Sequence, residues 1–177
     1  ALPILLSAGL FVAFAAVVPR IAAGEALAVV WPWLPALGIS LAFLVDGLSL
    51  TFALLISGIG TLVLLYSNSY LAGHPQYGRF ALYLVAFMLS MLGLVLADDL
   101  VLLFVFWELT TFSSYLLIGF SHRSERSRRN ALQALFVTGA GGLAFLAGLI
   151  LLGMAAGTMR ISEILAQGAA LQAHGLY

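Results

Sequence analysis

Residues 100–120 read LVLLFVFWELTTFSSYLLIGF. An α-helix needs about twenty predominantly apolar residues to cross the ~30 Å hydrocarbon core of a bilayer, at about 1.5 Å of rise per residue. This run supplies them, and its one charged residue, Glu108, lies close to the centre. Four similar stretches stand on either side of it: Leu2–Val18, Leu48–Leu71, Phe80–Ala97 and Ala131–Ala156. The predicted spans are 2–19, 47–72, 79–97, 100–121 and 130–156. The first closes at Pro19-Arg20, and Asp46-Gly47 opens the second.

Composition agrees with a lipid solvent. Charged residues are 8% of the 177, where a soluble domain carries roughly 25%. Hydrophobic residues reach 63% and mean hydropathy is +1.14. A small globule in water leaves too much of its surface exposed to hide that much apolar material. The fold class expected is an all-α membrane protein, a single transmembrane domain of about five helices with a short extended, hairpin-like outer loop. Net charge is zero, from seven arginines, no lysine and seven acids, so there is no electrostatic footprint for nucleic acid. Without cysteine there is neither a disulfide framework nor a thiolate metal site, and no motif suggests a cofactor, a metal or an enzymatic reaction. The opening residues ALPILLSAGLFVAF lack the positive n-region of a signal peptide. The chain reads as a piece of something longer, beginning inside a hydrophobic segment.

Gly24–Val45 differs in kind. Each proline of Trp31-Pro32-Trp33-Leu34-Pro35 removes a donor and restricts the residue before it, so a helix cannot continue there. Ile39, Leu41, Phe43 and Val45 alternate with Ser40, Ala42 and Leu44, the period of a short strand. Tryptophans beside prolines suit the headgroup region, which predicts an interfacial loop. Beyond Thr158, the spacing of Ile161, Ile164 and Leu165 predicts a short surface helix. Arginine sets the orientation: four of the seven lie in the loop Ser121–Arg129, and Arg79 precedes the third span. Arg20 and Arg160 belong to the opposite side. The excess predicts that the loop 121–129 is cytoplasmic and that the Trp31–Pro35 segment is outside.

Glu108 is the residue that calls for a functional explanation. A charge at the centre of a spanning helix costs at least about 2.5–3.5 kcal/mol on insertion scales. Such a group faces the bundle interior, pairs with a cation or stays protonated. A group in that position that exchanges its proton could serve as a relay. At 100° per residue Phe104, Thr111, Phe112 and Tyr115 share its face, and Thr111 and Tyr115 could offer hydroxyls. The alternative is a permanently neutral glutamate that glues helices together. Asp98-Asp99 and Asp46 stand at helix starts, where capping and the helix dipole favour a carboxylate; they are also the places where ions would enter. His74 and His122 show no ligand spacing. Gly139, Gly141 and Gly142 allow close helix approach.

Phe106-Trp107-Glu108-Leu109-Thr110-Thr111, followed by Ser114-Tyr115-Leu116-Leu117-Ile118-Gly119, resembles the fifth-helix signature of antiporter-like membrane subunits. These are the large proton-pumping subunits of complex I, membrane-bound hydrogenases and the multisubunit Mrp-type cation/proton antiporters. Val45–Leu50 and Leu96–Leu100 look like shared landmarks. Trp107–Thr110 and the basic loop are most similar to the large A subunit of an Mrp antiporter. The resemblance implies a transporter subunit rather than an enzyme: the N-terminal part of a larger chain in a bacterial or archaeal cell membrane. It implies proton translocation at Glu108 supported by Trp107, Thr111 and Tyr115. The implied partners are other membrane subunits, lipid, protons and Na+, with a lysine on a later broken helix that these residues do not contain. Alternatives are a membrane arm of complex I, of a hydrogenase or of an inorganic-carbon uptake complex, and a purely structural membrane subunit.

Overall fold

The computed structural model describes residues 2–34, 38–121 and 124–168. Five helices are long and apolar enough to cross a membrane: α1 (Leu2–Ala22), α2 (Gly47–Tyr70), α3 (Tyr77–Leu96), α4 (Leu100–Ile118) and α5 (Glu125–Ala156). A two-stranded antiparallel hairpin, β1 (Leu27–Leu34) and β2 (Ile39–Val45), follows α1, and a short helix α6 (Ile161–Ala166) follows α5. The long helices pack in chain order, each on the one before it, as short connections between antiparallel neighbours require.

Two helix ends differ from the sequence expectation. α1 does not stop at Pro19 but runs through it to Ala22. A proline this near a C-terminus forfeits one bond to the preceding turn, while its own carbonyl still accepts from Ala23 N at 3.1 Å. α5 begins at Glu125, so Arg126, Arg128 and Arg129 ride on its first turns instead of lying in a loop. Ser124 caps that start, its hydroxyl accepting from Ser127 N at 3.4 Å. With 32 residues the helix is about 48 Å long; its arginine-bearing end outruns the ~30 Å core. His122 and Arg123, like Pro35, lie outside the described residues.

Several serine hydroxyls within the spans are satisfied by their own helices. Ser57 donates to Ala53 O (2.6 Å), Ser90 to Ala86 O (2.7 Å) and Ser113 to Leu109 O (2.7 Å), the back-bonding that lets serine sit in an apolar helix. Packing is close where a side chain is missing: the Phe106 ring of α4 fills the space a Cβ at Gly93 of α3 would need.

The expected interfacial loop is a hairpin, and β1 as well as β2 is extended. Pro32 is accommodated because the register shifts between Pro32 and Leu34, and a bulge is where a strand tolerates a missing donor. Burial does not follow the alternation read from the sequence. β1 is almost wholly exposed, and the deeply buried residues of β2 are Ile39 and Ala42. Ala42 is 0% exposed because the α3–α4 junction presses on it: its carbonyl accepts from Asp98 N at 2.8 Å.

That junction organises one end of the bundle. Asp99 is the N-cap of α4, its Oδ1 accepting from Val101 N (2.9 Å) and Leu102 N (3.1 Å), while Oδ2 accepts from Ser40 N of β2 (3.2 Å). Asp98 caps nothing on α4. Its Oδ2 accepts from Arg160 Nη2 (2.7 Å), Arg160 Nε (3.1 Å) and Ser162 Oγ (2.8 Å), and its Oδ1 from Ser162 N (2.8 Å). Arg160, at the N-cap of α6, has no capping side chain of its own, and Asp98 supplies the acceptor from across the fold. α6 is therefore more than a surface helix: Ile164 is buried with Leu100 and Leu149. Asp46 caps α2 in a capping box with Ser49, each side chain accepting from the other's backbone N–H at 2.8 Å. The hairpin, α6 and the two aspartates form this end; Arg79, Arg126, Arg128 and Arg129 stand at the other.

Candidate functional site

Glu108 is the ninth residue of the 19-residue α4, about 1.5 Å from its midpoint. Its side chain turns toward α5. Oε1 occupies the space that a Cβ on Gly142 would take, and the Trp107 indole nitrogen lies 3.8 Å from the same point. Gly142 is buried, whereas a Cβ on Gly139 or Gly141 would meet nothing within 4 Å. The three glycines read together from the sequence thus separate, and one of them forms a notch that receives the carboxyl group. Trp107 closes the contact by setting its ring 5.1 Å from that of Phe145, also on α5.

Oε1 is buried and has no hydrogen-bond partner among the described residues, unlike the Ser113 hydroxyl on the same helix. A polar atom withdrawn from both water and protein is costly, and each such atom in a folded protein asks for an explanation. The hydroxyls expected to serve it do not reach it. Tyr115 lies seven residues on, about 10.5 Å along the axis. With Thr111 it lines a neighbouring cavity of about 260 Å³ whose walls include Trp107, Thr110, Ser114 and Thr138. The two share this hydroxyl-bearing groove between α3, α4 and α5, whose lining does not include Glu108.

Asp99 precedes Glu108 by nine residues, about 13.5 Å along the axis, and stands with Asp46 and Asp98 at the hairpin end, with the hydrogen bonds already described. The sequence reading took Gly142 only as one of three close-approach glycines, and missed Phe145 on α5 and Arg160 as the partner of Asp98. No periodicity in α5 distinguishes Gly142 from Gly139 and Gly141; only the register of α4 against α5 does.

Two family profiles match the chain. Residues 31–81 match the N-terminus of chain 5 of NADH-ubiquinone oxidoreductase (complex I), and residues 97–175 match the transmembrane family of NADH:quinone oxidoreductase and the Mrp antiporter. The chain belongs to the antiporter-like superfamily of Mrp and complex I membrane subunits. Within this superfamily it is similar to the A1 subunit of a Na(+)/H(+) antiporter of Staphylococcus haemolyticus, 40% identical over 95% of this chain and 21% of that one. It is 42% identical to a chain of Rhizobium meliloti named for K(+)/H(+) antiport, over 94% of this chain and 17% of that one. Among solved structures it resembles a chain of the Mrp complex from Dietzia sp. DQ12-45-1b, with a TM-score of 0.76 and 33% identity over 92% of this chain and 20% of that one. The antiporter-like chain described here thus spans about a fifth of the length of these relatives and corresponds to the N-terminal region of the large Mrp antiporter chain.

Proposed function

We propose that these residues form the proton-handling N-terminal part of a cation/proton antiporter subunit, with Glu108 as the group that takes up and releases the proton. The observation that carries this reading is the mid-helix carboxyl oxygen, buried in the Gly142 notch and left without a hydrogen-bond partner among the described residues. A glutamate that served only to join helices would spend its oxygens on donors of the neighbouring helix; Oε1 meets a glycine instead. Trp107 positions the carboxyl group by packing on α5, and the Thr111 and Tyr115 hydroxyls line the adjoining groove. Asp46, Asp98 and Asp99 are read as capping and anchoring groups, and no transport step is assigned to them.

The partners proposed are further membrane subunits of the complex. Na+ is the cation proposed, after the name of the Staphylococcus haemolyticus relative; the Rhizobium meliloti relative makes K+ the competing choice. Orientation follows the arginines. Arg79, Arg126, Arg128 and Arg129 gather at one end of the bundle, which is proposed to face the cytoplasm of a bacterial or archaeal cell. A complex I-type redox arm is the second reading, favoured by the match of residues 31–81 to chain 5 of that complex.

The test is Glu108→Gln in the full-length subunit, assembled with its partners in everted membrane vesicles. Gln keeps the shape but cannot change charge, so cation-dependent proton exchange, read with a pH-sensitive dye, should fall at least tenfold while assembly stays normal. Running the assay with Na+ and then K+ identifies the cation. Wild-type exchange from a properly assembled Glu108→Gln complex would refute the proposal.

A further inference from the structure

A helix that is apolar all round has no wet and dry side in lipid to set its rotation, so the fit against its neighbours must set it. The first half of α4, Leu100 to Trp107, is such a run. Two glycines on the adjoining helices supply the shape. Gly93 of α3 is buried, and the Phe106 ring takes the place of its missing side chain. Gly142 of α5, also buried, receives Glu108 Oε1 in the same way. Phe106 and Glu108 are two residues apart, about 200° around the helix. They therefore leave α4 on opposite sides, one into each neighbour.

The ring is the firmer of the two contacts, because a phenylalanine side chain has fewer rotatable bonds than a glutamate. It is also backed from the hairpin. The Phe43 ring of β2 lies 6.0 Å from that of Phe106, inclined at 58°. Phe43 pairs through its backbone with Ala97 at the α3–α4 junction, and Asp98 N donates to the adjacent Ala42 O at 2.8 Å. Glu108 lies only about 3 Å further along the axis than Phe106. A turn of α4 by about 10° carries a group at the ~5–6 Å outer radius of a helix through about 1 Å, and a reacting group misplaced by that much can lose on the order of a hundredfold in rate.

We propose that Phe106 is a positioning residue for Glu108: its ring, seated in the Gly93 slot and backed by Phe43, fixes the rotation of α4 and so aims the carboxyl group at Gly142. Its effect on transport rests on the reading of Glu108 as the proton-handling group; the placement of the carboxyl group does not. The hairpin thereby bears on the middle of the bundle through two aromatic rings, and a shift of β2 is felt at Glu108.

The experiment uses the full-length subunit assembled with its partners in everted membrane vesicles, with two measurements. The rate at which a membrane-soluble carbodiimide modifies Glu108, followed by peptide mass spectrometry, reports where the carboxyl group sits whether or not it relays protons. Cation-dependent proton exchange across a range of pH reports transport. In Gly93→Ala the new methyl group expels the ring, so modification of Glu108 should rise at least threefold, exchange should fall at least tenfold and its pH midpoint should move. Adding Phe106→Leu to Gly93→Ala trades the ring for a side chain smaller by about the volume of the added methyl group, and should return all three toward wild type. Gly78→Ala, in the same helix with nothing within 4 Å of the added Cβ, should match wild type. Should Gly93→Ala fail to assemble, Phe43→Ala removes the backing ring and leaves the slot intact, and modification should still rise about twofold. Wild-type modification of Glu108 in the assembled Gly93→Ala complex, or in Phe43→Ala where that variant stands in for it, would overturn the proposal, as would failure of Phe106→Leu to rescue. Altered modification with unaltered exchange would keep Phe106 as the positioning residue and refute instead the relay role of Glu108.

Discussion

Substituting Gly142 by alanine tests the site without touching its chemistry. The added Cβ falls where Glu108 Oε1 now lies, and an ordinary carbon–oxygen contact requires the carboxyl group to retreat by roughly an ångström or more. The obstacle is the far end of a flexible side chain, so the fold can yield. Pushing Glu108 off its rotamer costs about 0.5–1.5 kcal/mol, and alanine in place of glycine returns up to about 1 kcal/mol of helix preference. The net change in stability is thus within about 1 kcal/mol, and the thermal midpoint of the purified complex should barely move. Transport should respond far more, because a reacting group misplaced by about 1 Å can cost on the order of a hundredfold in rate. Gly141→Ala, whose Cβ meets nothing, is the matched control. The assay is cation-dependent proton exchange in everted vesicles, with midpoints measured on the same preparations. Wild-type exchange in Gly142→Ala would refute the reasoning, and so would equal loss in Gly141→Ala, since the first denies that the notch places the carboxyl group and the second denies its specificity.

Other expectations concern the hairpin end and the orientation. Asp98→Asn leaves the Arg160 guanidinium without its buried partner (side chains 22% and 2% exposed), and breaking such a pair costs about 3–5 kcal/mol. The midpoint should fall by several degrees, and the double variant with Arg160→Met should lose less than the sum of the two. Asp99→Ala removes the α4 cap and the acceptor for Ser40 N, so about 1–2 kcal/mol should be lost; denaturant titration that shows no loss would count against the cap. Cysteines at Ser124 and Ala26 should react with an impermeant thiol reagent from opposite sides of the membrane, and labelling of Ser124→Cys from outside intact cells would reverse the orientation.

Much of the fold was legible because lipid imposes a blunt rule: spanning segments must be long, apolar and helical. That rule found all five long helices and isolated Glu108 as the charged residue within one of them. It failed at the helix ends, where solvent returns and the choice becomes local. α1 absorbed Pro19, and α5 began a turn earlier than its apolar run. The hairpin was half legible, since the alternation in 39–45 announces a strand but says nothing of β1 or of which residues are buried.

What the sequence determined by itself, then, was the solvent, the number of long helices, the capping of α2 by Asp46 and the position of one carboxyl group near mid-membrane. These follow from composition and from spacings of a few residues, which are properties of one segment at a time. The tertiary structure alone decided that Glu108 rests on Gly142 and not on Tyr115, that Asp98 anchors Arg160 of a distant helix, and that Phe106 fills the slot at Gly93. Each of these depends on the register of one helix against another. Register is set by the summed fit of many weak contacts along the interface, and residues far apart in the chain carry no local mark of where they will meet.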